Sequence, residues 1–76
     1  MILTQGTRYR ARLRLGFFEQ VASNDAIIAK LEEAGFLDVA VGGSGRDRQA
    51  EGTWGGVTEN VDLPDQIVSS SVEMVP

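Results

Sequence analysis

The segment Thr7-Arg-Tyr-Arg-Ala-Arg-Leu-Arg-Leu15 alternates without a break, with Arg8, Arg10, Arg12 and Arg14 at even positions and Tyr9, Ala11, Leu13 and Leu15 at odd ones. A period of two sends successive side chains to opposite faces of a strand, whereas a helix would scatter the arginines around its circumference. The chain is therefore committed to a sheet with one apolar face and one charged face. On such a strand the four guanidiniums form a row roughly 20 Å long. Gly16 ends the pattern, and Phe17 and Phe18 make an apolar step towards the next element.

That element is a helix. Ser23 can cap an orphan backbone N–H, and Asp25 in the first turn complements the helix dipole. Ile27, Ile28, Leu31 and Ala34 recur on one face, with Lys30, Glu32 and Glu33 towards water. Gly35 supplies the left-handed residue after the helix, and Phe36 can fold back on Leu31. Beyond it, Asp38–Val41 reads as a second strand, 42–48 as a polar flexible loop, and Gln49–Val57 as a third strand with Ala50, Gly52 and Trp54 on one face. Gly55-Gly56 and Thr58–Asn60 are turn material, Val61–Leu63 pairs briefly, and Pro64-Asp65 turns the chain. Ile67–Val75 completes the sheet, with Val68, Ser70, Val72 and Met74 on one face. The order β-α-β-β-β predicts a single α+β domain over residues 1–76, with one helix packed on one face of a three- to four-stranded, mostly antiparallel sheet. One helix covers one face, so the arginine face is expected to remain open.

At 76 residues the core is small, and with no Cys there is no disulfide to brace it. Domains of this size often gain stability by oligomerising or docking. The composition, 42% apolar and 24% charged, is ordinary globular material. Absent Cys and His remove thiolate and imidazole nucleophiles, general bases and the common zinc sites. Ser69-Ser-Ser71 has no partner to activate a hydroxyl, and carboxylate-only catalysis needs a cleft that one helix and one sheet rarely provide. Asp62 and Asp65 are turn chemistry rather than a calcium site. Gly42-Gly-Ser-Gly-Arg46 lacks both the following helix and the Lys-Ser/Thr ending of a phosphate loop. The expectation is a non-enzymatic chain with no cofactor and no metal.

The net charge of −4 argues against a dedicated nucleic-acid binder, and its distribution says more. Residues 1–18 carry four arginines and no acid, whereas 19–76 carry three basic and eleven acidic residues. The arginine row can grip phosphates or an acidic neighbour, or it can be a solvated face paired with Glu51 and Glu73. Tyr9 falls on the other face, so the row lacks the interleaved aromatics of single-strand binders. Trp54, between glycines, is either the large ring of the core or an aromatic interface contact. Candidate partner-binding residues are thus Arg8, Arg10, Arg12, Arg14, Arg46, Arg48, Trp54 and Glu73, engaged through the open sheet face or by edge pairing of the first or last strand.

Leu31-Glu-Glu-Ala-Gly-Phe36 followed by Asp38-Val resembles the helix-to-strand turn of ferredoxin-like and SPOR-like small domains, although nothing after Gly35 has the periodicity of a second helix. Tyr9–Leu15, the Ala-Gly-Phe helix end, Gly52-Thr-Trp-Gly55 and Val61–Val68 together resemble small proteins of tailed bacteriophages and prophages. That resemblance implies a virion or assembly component acting by contact in many copies. The expected function is a protein–protein interaction domain in a bacteriophage particle, oligomeric or docked on a larger assembly. The alternative is a small regulatory or nucleic-acid-binding module using the same arginines. No apolar run reaches membrane-span length, and the start lacks the basic and long apolar regions of a signal peptide. The expected location is the virion or the bacterial cytoplasm.

Overall fold

In the computed structural model, which describes residues 1–17 and 19–76, the alternating segment forms strand β2 (Arg8–Arg14) and lies inside a four-stranded antiparallel sheet. The other elements are β1 (Ile2–Leu3), α1 (Asn24–Ala34), β3 (Phe36–Ser44), β4 (Asp47–Trp54), β5 (Glu59–Asn60) and β6 (Glu73–Met74). Short 3-10 turns fall at Glu19–Val21 and Ser69–Ser71. The sheet order is β3-β4-β2-β6, and β1 pairs with β5 in a separate two-stranded ribbon. The fold is α+β, with the single helix packed against these antiparallel sheets. Strands β2 and β3 run parallel, but β4 is inserted between them, so the β-α-β unit is split. The apolar step expected at Phe17–Phe18 involves Phe18, which lies outside the described residues, while Phe17 is 69% exposed.

The helix begins and ends where the local chemistry requires. The Ser23 side chain accepts the Ala26 N–H at 3.1 Å, and the Gly35 N–H bonds to the Glu32 carbonyl at 3.0 Å. Gly35 has φ +119°, and a Cβ there would lie 3.0 Å from the Trp54 ring, so both conformation and packing demand glycine. Ile27 and Leu31 are buried and Ile28 half-buried, whereas Ala34 is exposed. The core joins these residues to Leu3, Tyr9, Leu13, Leu15, Phe36 and Trp54.

Of the two readings of Trp54, the structure supports the core residue and not the partner contact. It is 4% exposed, its ring meets Phe36 edge-to-face at 5.2 Å, and its indole N–H donates to the Val57 carbonyl at 2.8 Å. Both the apolar body and the polar handle of the ring are satisfied internally.

The region expected to be a flexible loop is instead a tight hairpin. Strand β3 runs on to Ser44, and β4 starts at Asp47 after a two-residue turn at Gly45-Arg46. Gly45 has φ +71° and Arg46 does not have positive φ, the signature of a type II′ turn, which matches strand twist. This places Arg48 on the apolar side of β4, directly opposite Leu13, and overturns its assignment as a loop residue free to touch a partner. Arg48 is 5% exposed. Its Nε donates to the Gly45 carbonyl at 3.0 Å, one Nη to Asn24 Oδ1 at 2.8 Å and the other to the Gln20 carbonyl at 2.8 Å. Asn24 in turn donates to the Gly43 carbonyl at 3.2 Å. One guanidinium therefore ties the hairpin, the start of α1 and the 3-10 turn before it.

The last strand also departs from expectation. The chain follows β2 as foreseen at Gln66–Val68, where Arg14 N–H bonds to Gln66 O at 2.7 Å and Val68 N–H to Arg12 O at 2.9 Å. It then turns at Ser69–Ser71 before resuming as β6. Ser71 Oγ donates to the Val68 carbonyl at 2.6 Å and accepts the Arg12 N–H at 2.9 Å, standing in for the missing ladder carbonyl. Three consecutive serines favour such local bonds over continued strand. The interruption shifts the core-facing parity, so that Ile67 before it and Val72 after it both pack on the core, while Met74, opposite Tyr9, is 67% exposed.

Replacing the buried Arg48 by Met strips three partly buried acceptors of a charged donor, and we expect a loss of about 2–4 kcal/mol of folding stability by urea unfolding. A change within about 0.5 kcal/mol, as for an ordinary surface substitution, would contradict the staple.

Candidate docking face

The ladder between β2 and β4 places Arg8 opposite Thr53, Arg10 opposite Glu51, Arg12 opposite Gln49 and Arg14 opposite Asp47. On β3, Leu37, Ala40, Gly42 and Ser44 continue the same rows. These residues make the face that the helix leaves uncovered.

The four arginines are not equivalent. Arg8 reaches diagonally, with Nε 2.7 Å from Glu51 Oε2, one Nη 3.2 Å from Thr53 Oγ1 and the other 3.0 Å from the Asp38 carbonyl. Asp38 sits in the irregularity between Leu37 and Ala40 with φ +51°, so Arg8 clamps the bulge of β3 across the width of β4. Arg10 pairs with Glu73 at 2.6 Å and fastens β6 to the sheet. Both groups of that pair are more than half exposed, so it contributes at most about 1 kcal/mol. Arg12 and Arg14 remain. Among the described residues neither guanidinium has a hydrogen bond or an ion pair, although Asp47 stands across from Arg14.

Around the two bare guanidiniums the surface is concave. An open depression of about 670 Å³ is bordered by Arg10, Arg12, Gly42, Gln49, Ser70 and Glu73. A neighbouring one of about 540 Å³ is bordered by Arg12, Arg14, Asp47, Gln49 and Val68. The site thus combines fixed positive charge with a carboxamide and hydroxyls, a donor set for carboxylates or phosphates. Arg46 lies at the same end of the sheet, where its Nε donates to the Leu15 carbonyl at 3.3 Å. Among the described residues, no group of three or more Asp and Glu side chains is placed to hold a metal ion. Among the described residues, no helix is long and apolar enough to cross a membrane.

Of the residues singled out in the sequence, the structure gathers Arg8, Arg10, Arg12, Arg14 and Glu73 on the open face and Arg46 at its end, and it buries Arg48 and Trp54. Gln49, Thr53 and the Asp38 carbonyl belong to the face but carry little sequence signal. Asp38 offers a faint one, since Asp tolerates a left-handed backbone better than most residues.

Edge pairing by the first strand is ruled out, because β2 is central and has neighbours on both sides. The free edge of β3 is broken by the bulge at one end, and its Gly43 carbonyl is taken by Asn24 at the other. Strand β6, on the opposite edge, has two residues. The face, not an edge, is the larger available surface.

Away from the face, Glu19 accepts the Gly16 N–H at 2.8 Å and a Gln66 amide N–H at 2.7 Å. These bonds, the backbone one foremost, hold its carboxyl below the ordinary value of 4.5 and latch the turn before α1 to the C-terminal segment.

Comparison with known protein families, with curated proteins and with solved structures finds no match to this chain. Its class therefore follows from the architecture alone: an α+β domain with one sheet face open and two of the four arginines in the row on that face engaged internally.

Truncation separates the two halves of the row. Arg8→Ala should cost about 1–2 kcal/mol in chemical unfolding, because the bulge loses its clamp. Arg12→Ala should stay within about 0.5 kcal/mol. Equal losses at both positions would mean that the row acts as one structural unit.

Proposed function

We propose that the chain is a non-enzymatic protein–protein docking domain whose open sheet face receives an acidic segment of a partner. The single observation that carries this reading is that, among the described residues, Arg12 and Arg14 stand without partners on the same strand face as Arg8, whose guanidinium is fully engaged, and Arg10, which is ion-paired through Nε. Same-face positions on a strand are about 7 Å apart, and an extended partner with carboxylates at alternate positions repeats that spacing. Guanidinium forks bind carboxylates bidentately, and a preorganised strand limits the entropy lost on binding. On the resemblance read from Tyr9–Leu15, Gly52–Gly55 and Val61–Val68 alone, the proposed setting is the virion, or the bacterial cytoplasm where it is assembled, with the chain as a small structural or accessory component.

The same bare guanidiniums favour a second reading, a nucleic-acid-binding or regulatory module, since phosphates fit them equally well. Against it stands the net charge of −4, which repels a polyanion beyond the immediate contact.

The test is titration of a synthetic extended peptide bearing Asp at alternate positions, with its Asn counterpart and a random duplex DNA as controls. The expected result is binding of the Asp peptide that falls at least about ten-fold in Arg12→Glu/Arg14→Glu, with the Asn peptide and DNA inactive. Indifference to the substitutions would contradict the docking reading. Preferential, steeply salt-dependent binding of DNA would transfer the site to nucleic acid.

A further inference from the structure

The charges of this molecule are sorted across the sheet. On the open face four arginines meet three carboxylates, Asp47, Glu51 and Glu73, and the two unpartnered cations are Arg12 and Arg14. The opposite side is built from α1 and from the segment 61–67, whose Val61, Leu63 and Ile67 pack on the same core. Asp25, Glu32 and Glu33 on the helix and Asp62 and Asp65 on the segment are all exposed there. Arg48 is buried on that side, the Met1 ammonium is held there by Asn60 Oδ1 and the Val61 carbonyl, and the exposed basic side chain is Lys30, 4.0 Å from Glu33 with both groups largely in water. Among the described residues no ion pair crosses from one side of the sheet to the other.

These two surfaces complement each other in sign but cannot meet within one chain, because the sheet and core lie between them. We infer that the occupant of the open face is a second copy of this chain, seated by its acidic helix side. This inference rests on the docking reading and names the partner. Because the two patches differ, the contact is heterologous. A head-to-tail contact propagates from copy to copy and gives a ring or a filament, not a two-fold dimer.

Salt dependence follows from the dimensions. The molecule measures 33 × 22 × 22 Å. At 0.1 M salt the screening length is about 10 Å, shorter than the molecule is thick, so each approaching face is felt separately. At 0.01 M it is about 30 Å, and the net negative charge of both copies is felt as a whole. At 1 M it is about 3 Å, and the face-to-face attraction is itself screened. Association should therefore peak near 0.1 M and fall on either side.

The experiment is light scattering on the wild-type chain at these three salt concentrations, then on two variants with intact folds by circular dichroism. One is Arg12→Gln/Arg14→Gln, which retains the acidic side. The other is Glu32→Gln/Glu33→Gln/Asp62→Asn/Asp65→Asn, which retains the basic face. The expected results are a wild-type mass above that of one chain near 0.1 M, single-chain mass for each variant alone, and twice that mass for their equimolar mixture. The mixture stops at two chains because each variant keeps one working surface. A wild-type monomer at every salt, or a variant that still associates alone, or a mixture that stays monomeric would overturn the inference. A wild-type monomer that nonetheless binds the Asp peptide through Arg12 and Arg14 would overturn self-assembly while leaving the docking reading in place.

Discussion

The division of β2 into a charged and an apolar side is the constraint on which the rest of the molecule depends. Because β2 occupies a central position, its Tyr9 and Leu13 are covered by α1 and the 61–67 segment, while its arginines are held in a straight row on the other face. A shift of one residue in the pairing of β2 would carry the arginines into the core, so burial and electrostatics specify the same register. The neighbouring strands then use half of the row. Arg8 holds the bulge of β3, Arg10 holds β6, and the remaining pair faces solvent.

What was legible in the sequence was chiefly what is local. The alternation of residues 7–15, the Ser23 cap, the Gly35 stop and the pairing of arginines with Glu51 and Glu73 can all be read from spacing and residue type. What escaped depends on contacts between distant segments. Glycines at 42 and 43 look like a flexible loop until β4 pairs with them and Gly45 makes the turn, and Arg48 looks solvent-bound until Asn24 and the Gln20 carbonyl are brought to it. The two-residue strands β1 and β5 have no periodicity to detect; their pairing follows from the burial of Leu3. The flanks of the serine run alternate as in a strand, yet hydroxyl bonding to nearby backbone outweighs that pattern.

The buried guanidinium and the bare ones illustrate how context decides the role of one residue type. Arg48 has no carboxylate partner and is satisfied by two backbone carbonyls and a carboxamide, which makes it a tie between elements. Arg12 and Arg14 have equal charge and comparable reach, but they project from a strand whose near acids are already taken or stand out of contact. A cation left in that state keeps its full capacity for an external anion, and this is what connects the fold to the proposed docking function.

The central claim, that the arginines divide into engaged and free groups, is tested most directly by NMR of the guanidinium groups. Nη groups held in hydrogen bonds rotate slowly and give separate signals, whereas free ones average. The account predicts resolved Nη signals for Arg48 and Arg8 and averaged signals for Arg12 and Arg14. Identical behaviour across Arg8, Arg12, Arg14 and Arg48 would contradict it.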